Sequence, residues 1–243
     1  MSYVLIIGAK SDIAKEVARV YAKNGYDLYL AARNSESLND LSKDLELRSN
    51  IKVQEKEFDI ADFASHEDFY NSLDPKPLGV IVISGYMAEQ KDCEKDFSKT
   101  LNTINVNYTG AVSILNIISN DMEQNKNGFI VGVSSVAGDR GRKANYIYGS
   151  SKAAFSAYLS GLRNRLHESG VKVLTVKPGF VATKMTAKLD LPTKLTAQPE
   201  DVAKDIFTAQ QKGKDILYTK PIWRVIMMII KIIPEWKFKG MSI

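Results

Sequence analysis

An α/β fold built on a doubly wound parallel sheet, with helices on both faces, is expected for these 243 residues. Short apolar runs alternate with stretches of helical periodicity, the pattern of βαβ units. The run at residues 3–7 is apolar throughout rather than at every second residue, as in a strand buried on both faces. Right-handed crossovers then set the helices on the two faces. No linker, break in composition or internal repeat divides the chain, so residues 1–243 are read as one domain.

Residues 3–7 are the first buried run. Residues 11–24 follow at helical spacing and stop at Gly25, a helix-ending signal. Strands are expected at 26–32 and 51–58, with a helix at 35–48 between them. A helix at 63–73 is stopped by Asp74-Pro75 before a strand at 79–83. A long helical stretch, 97–124, leads to a strand at 128–134, a long helix at 146–169 and a strand at 171–176. Residues 199–212 are helical and 215–218 form a short strand. In a sheet of this kind the ligand sits beyond the carboxyl ends of the strands, at the switch point.

Composition narrows the class. With 44% apolar and 25% charged residues the chain is neither disordered nor fibrous. Cys93 is its only cysteine, which excludes an internal disulfide and a Cys-based zinc site and suits a reducing, cytoplasmic compartment. Residues 1–3 lead into an apolar strand with no basic leader. The net charge is +5, and residues 214–243 carry six Lys or Arg against two acids. Almost all of the excess therefore sits in these thirty residues, whose basic, apolar tail, 221–243, hints at an anionic surface or ligand.

After the first strand come Gly8-Ala9-Lys10-Ser11-Asp12-Ile13. A small residue here lets the backbone turn beneath a pyrophosphate, and the following helix offers free N–H groups. Two of the three usual glycines are replaced, by Asp12 and Ala14. The second strand ends at Arg33, where a ribose-binding acid is usual. Arg in its place accommodates a 2′-phosphate, favouring NADP(H) while leaving NAD(H) possible. Asp59, after the third strand, either accepts from the adenine amino group or caps a turn near Asp62.

Tyr148 and Lys152, four apart at the start of a helix, share one face. An ammonium beside a phenol lowers its pKa and fits it to pass a proton to a carbonyl oxygen. Tyr146 lies off that face. Ser135, at a strand's carboxyl end, could hold the substrate oxygen or merely cap the turn. Asn107 lies inside a helix, where an amide wants a partner.

This set resembles the short-chain dehydrogenase/reductase family: Ser135, Tyr148 and Lys152, Asn107 upstream, the degenerate turn at 8–14, and Pro178-Gly179 through Thr183. The similarity runs from residue 3 to about 220. It implies a Rossmann-type domain, a nicotinamide cofactor, a homo-oligomer and no metal. It also implies that Tyr148 is the acid/base and that Lys152 lowers its pKa and binds the nicotinamide ribose. Ser135 would orient the carbonyl, and Asn107 would hold a water that relays protons from Lys152. Gly8, Lys10, Ser11, Asp12, Ile13, Arg33, Asp59, Ile60, Ser84, Gly85, Pro178, Val181 and Thr183 would join Tyr148 and Lys152 around the cofactor. The usual Asn-Asn-Ala-Gly segment is here Val82-Ile83-Ser84-Gly85. His66 and His167 are expected at the surface.

Residues 107–113, 134–145, 185–187 and 223–234 further resemble reductases of decaprenylphosphoryl-2-keto-pentoses. Those enzymes complete the two-step epimerisation of a polyprenyl-phosphate ribose for cell-envelope glycans, with an FAD-dependent oxidase as partner. Two alternatives stand beside a lipid-linked keto-sugar reductase: a reductase of a soluble carbonyl such as a 3-oxoacyl thioester, and a non-catalytic cofactor sensor. Nothing in the chain reads bases, so nucleic acid is not an expected partner. The segment 222–233 is too short to span a bilayer. It would pack on another subunit, enter the core or rest at the inner face of a membrane.

Overall fold

The computed structural model describes residues 2–187 and 189–241; Met1, Lys188 and the last two tail residues, Ser242 and Ile243, lie outside them. The chain runs β1 (Tyr3–Ile7), α1 (Asp12–Lys23), β2 (Asp27–Ala32), α2 (Asn39–Ser49), β3 (Val53–Glu57), α3 (His66–Asn71), β4 (Gly79–Val82), α4 (Gln90–Lys95), α5 (Phe97–Ile104) and α6 (Gly110–Asn125). It continues β5 (Phe129–Val133), α7 (Tyr146–Leu166), β6 (Lys172–Pro178), β7 (Phe180–Val181), β8 (Thr196–Ala197), α8 (Pro199–Gln211), β9 (Ile216–Thr219), α9 (Ile222–Ile232) and α10 (Glu235–Phe238).

Seven strands form one sheet in the order β3-β2-β1-β4-β5-β6-β9, each pair parallel. Successive side chains of a strand leave opposite faces. Val4, Ile6, Leu28, Leu30, Ile81 and Val131 therefore pack beneath α1, α2 and α8. Leu5, Ile7, Tyr29, Val80, Val82 and Ile130 pack beneath α3, α6 and α7. This is the Rossmann-type doubly wound arrangement expected from the sequence.

Two departures matter. The expected helix 97–124 is interrupted by a wide π-turn, Asn105–Thr109, which joins α5 to α6 and carries Asn107. His66 is fully buried, correcting its expected place at the surface. Its ring stacks on Phe58 with centroids 4.9 Å apart, and Nδ1 lies 2.9 Å from Ser113 Oγ on α6. A ring bonded across to a neighbouring helix can be buried without an unmet polar atom.

Candidate active site

β1 and β4 are neighbours, and their carboxyl ends open the crevice. Gly8 has φ +86°, and a Cβ on it would stand 2.8 Å from Ser84 N. Only glycine lets the turn after β1 lie this close to the turn after β4. Two cavities meet over these turns. One, of about 430 Å³, is lined by Gly8, Lys10, Ser11, Arg33, Asn34, Asp59, Ile60, Ser84 and Gly85. The other, of about 310 Å³, is lined by Asp12, Ile13, Ser135, Tyr148, Lys152, Pro178, Val181 and Thr183. Both also touch Lys10, Ser11, Ser84 and Gly85, so they form one elongated crevice.

At its β2 end, Arg33 is largely exposed, with Nη1 4.0 Å from Asp59 Oδ2. Asp59 Oδ1 accepts from Ala61 N at 2.9 Å, so this carboxylate fastens a local turn while facing Arg33. Asp62 makes no side-chain cap. The turn after Arg33 is held by Glu57, whose carboxylate accepts from Asn34 N (2.9 Å) and Ser35 N (2.8 Å). Those two donors hold its pKa below the ordinary value. Lys10 Nζ donates to Arg33 O at 3.3 Å. Ser11 is the N-cap of α1, its hydroxyl accepting from Ala14 N. Asp12 Oδ2 accepts from Lys184 N at 2.8 Å. The unusual acid of the phosphate turn thus anchors the loop after β7.

At the other end, α7 carries Tyr148 and Lys152 one turn apart. Lys152 is buried, with Nζ donating to Val133 O at 3.0 Å and lying 3.5 Å from Ser84 O. Burial pushes its pKa down to about 8. Burial pushes the Tyr148 phenol up to about 12, partly offset by its hydrogen bond with Ser135. The expectation that Lys152 lowers the phenol is not met in the protein alone: Nζ lies 5.9 Å from the ring centroid, and the phenol is raised. Ser135 Oγ also accepts from Ala137 N at 3.1 Å, so the same hydroxyl caps a turn and meets Tyr148. Ser134 is structural, bonding Lys152 O and Ser156 Oγ beneath α7.

Asn107 is buried and lines neither cavity. Its Oδ1 accepts from Tyr86 N (2.8 Å), and its Nδ2 donates to Tyr86 O (2.8 Å) and Ser151 Oγ (3.0 Å). The π-turn aims this amide at the segment after β4. A Cβ on Gly85 would lie 3.8 Å from both Asn107 Oδ1 and Lys152 Nζ. Tyr146 points away and donates to Glu94 at 2.9 Å.

Pro178 ends β6, and the chain then closes over the crevice. A Cβ on Gly179 would sit 2.0 Å from the Trp223 ring, so α9 presses directly on this segment. Trp223 Nε1 donates to Leu195 O, and Trp223 and Met227 pack with Val136, just after Ser135. Thr183 Oγ1 lies 3.3 Å from Thr186 Oγ1, which donates to Val181 O. Glu57, Tyr86, Ser151 and Thr186 were not foreseen. Only Glu57 had a signal, standing at the end of the strand paired with the one before Arg33.

The model of the short chain dehydrogenase family matches residues 2–193. An uncharacterized oxidoreductase of Mycobacterium tuberculosis (strain H37Rv) is 34% identical over 98% of this chain and 96% of its own. Among solved structures, a short-chain dehydrogenase from Sphingobium yanoikuyae in complex with NADPH superposes with a TM-score of 0.83. The match has 22% identity and covers 97% of each chain. A Burkholderia cenocepacia short chain dehydrogenase in complex with NADP gives 0.83 at 20% identity, over 95% of this chain and 93% of that one.

Proposed function

We propose, from the premise that the chain belongs to the short-chain dehydrogenase/reductase family, that it reduces a ketone to a secondary alcohol with a nicotinamide cofactor, NADPH in preference to NADH. The observation that carries this reading is the single crevice running from Arg33 to Ser135, Tyr148 and Lys152.

The lining fits a dinucleotide. Gly8 leaves room where a Cβ would collide, and the capped start of α1 presents backbone N–H groups to a pyrophosphate. Arg33 offers an exposed guanidinium to a 2′-phosphate. Gly85, Pro178, Val181 and Thr183 would flank the nicotinamide, and the cofactor supplies the hydride. Tyr148, protonated at neutral pH, donates its phenolic proton to the ketone oxygen as the carbon is reduced. Ser135 bonds the phenol oxygen and sits where it can also orient the carbonyl. Lys152, held on two backbone carbonyls, would meet the nicotinamide ribose and, when charged, make the phenol a better acid. Asn107 fixes the segment after β4 beside Lys152, where a relaying water would have to bridge Lys152 to solvent.

The substrate we favour is the 2-keto group of a polyprenyl-phosphate pentose, delivered by an FAD-dependent oxidase. The supporting observation is that the segments carrying this resemblance cluster at the chemical end: residues 134–142 follow β5, Met185 lines the cavity, and Trp223 backs Gly179. The test is NADPH oxidation by the purified chain with such a keto-sugar, a 3-oxoacyl thioester and a small ketone. Turnover confined to the soluble carbonyls would overturn the substrate. Cofactor binding with no turnover on any of them would favour a sensor.

A further inference from the structure

The tail forms two short helices, and only one side of α9 is buried. Trp223 and Met227, with Ile226 and Ile230 beside them, face Val136, Phe180 and Leu195. The opposite side leaves Ile222 (46%), Val225 (46%), Met228 (59%), Ile229 (52%) and Ile232 (74%) exposed. Ile222, Val225, Ile229 and Ile232 follow one another at spacings of three and four, so they form one stripe. Beyond Pro234 the apolar surface continues with Trp236, 74% exposed. A contiguous apolar surface of this kind marks an interaction site.

The charges around it are mostly positive. Arg224 and Lys231, seven apart, run along one edge of the stripe, and Lys237 and Lys239 follow in the last turns. The two acids of this region are each paired, Glu235 with Arg140 at 2.8 Å and Asp215 with Arg163 at 3.5 Å, while both carboxylates stay largely exposed. Among the described residues, Arg224, Lys231, Lys237 and Lys239 enter no ion pair.

We infer that α9 and α10 dock this protein on an anionic lipid bilayer. The stripe from Ile222 to Trp236 enters the headgroup boundary, and the four cations meet lipid phosphates. A second copy of the chain suits the face less well. A two-fold contact sets the same patch against itself, bringing the four cations of one copy toward the four of the other with only Glu235, already paired with Arg140, among them. An anionic surface matches both the apolar stripe and its rim. Among the described residues no helix is long and apolar enough to cross a membrane, so the contact is peripheral. Because α9 packs on Gly179 and Val136, docking brings the substrate end of the crevice to the lipid surface. The inference does not depend on the reaction assigned above.

The experiment is sedimentation of the full chain with vesicles of phosphatidylcholine alone or mixed with phosphatidylglycerol. Binding to the anionic vesicles alone is expected, weakening with salt and falling about fivefold for each of Arg224→Gln and Lys231→Gln. The double variant Ile229→Asp, Ile232→Asp should lose binding while keeping its melting temperature, since both side chains are already exposed. Trp236 emission should shift to the blue on binding, and Trp236→Phe should remove that shift. Equal binding to both vesicles, or none, overturns the inference. So does a dimer that the Asp double variant dissolves without any vesicle binding. Tyr148→Phe should bind vesicles unchanged, so a failed reaction and a failed docking surface are told apart.

Discussion

At the β2 end of the crevice the charged side chains stand in water; at the α7 end the ammonium is sunk in protein, with Tyr148 and Ser135 half-buried beside it. The Arg33 side chain is 71% exposed and that of Asp59 40%, whereas Lys152 is 3% and Asn107 1% exposed. The first end is a backbone scaffold with replaceable charges mounted on it. Glu57 bonds two amides to hold the turn, and Arg33 is free to serve a phosphate. The second end is built around a buried ammonium held on two backbone carbonyls, with Asn107 tying down the neighbouring segment. Exposed charges cost the fold little and set ligand preference, whereas buried ones cost stability and set the chemistry.

The largest effect that tests this contrast is at Tyr148. Tyr148→Phe should lower kcat for ketone reduction by about 10³–10⁴-fold and leave the Kd for NADPH within a few-fold, measured by steady-state rates and fluorescence titration. A comparable loss in both would make Tyr148 a binding residue.

Lys152→Met should cut turnover by at least about 100-fold and yet raise the melting temperature of the cofactor-free chain at pH 7. Folding lowers this lysine from 10.5 to about 8, which disfavours the charged form by roughly 3 kcal/mol. That cost is fully present below pH 8 and disappears as pH rises toward 10.5, so the two melting curves should converge in alkali. Reduction by the natural chain should hold steady below pH 8 and fall above it, as Lys152 loses the charge that assists the phenol. A melting temperature that drops at pH 7 in the variant would mean the ammonium is a net structural tie.

At the exposed end, Arg33→Ala should raise KM for NADPH by about 10–100-fold, the worth of a charge-assisted phosphate contact. KM for NADH and the melting temperature should hardly move. Equal effects on both cofactors would remove the 2′-phosphate assignment. The smallest change is Asp12→Asn, which keeps an acceptor for Lys184 N but removes a charge near the phosphate turn. Both cofactors should bind up to about fivefold more tightly, the range of an exposed charge effect.

How legible each end was follows the same division. The buried runs of β1, β4 and β5, and of β2 after Asp27, carry no charged residue, so their pattern survives without tertiary information. Tyr148, Lys152, Ser135 and Arg33 lie at strand ends or on one helix face, and spacing placed them around one crevice. The π-turn at Asn105–Thr109 left no periodic trace, because it accompanies hydrogen bonds from Asn107 to Tyr86 and Ser151. The role of Asp12 was equally hidden, since its partner lies 172 positions along the chain. His66 reads as a polar helix start until Ser113 and Phe58 supply its partners.

Arg140 follows Ser135 by five residues, and its Nη1 donates to Ile230 O and Ile233 O at 2.6 Å each. The same guanidinium bonds Glu235 and lies 3.6 Å above the Phe238 ring. These partners are separated from it by 90 positions or more. On the ribosome, where synthesis proceeds from the N-terminus, the sheet strands through β6 are made while this guanidinium still lacks its four contacts. The loop that carries Ser135 therefore gains these ties only once α9 and α10 have been made, after the strands through β6.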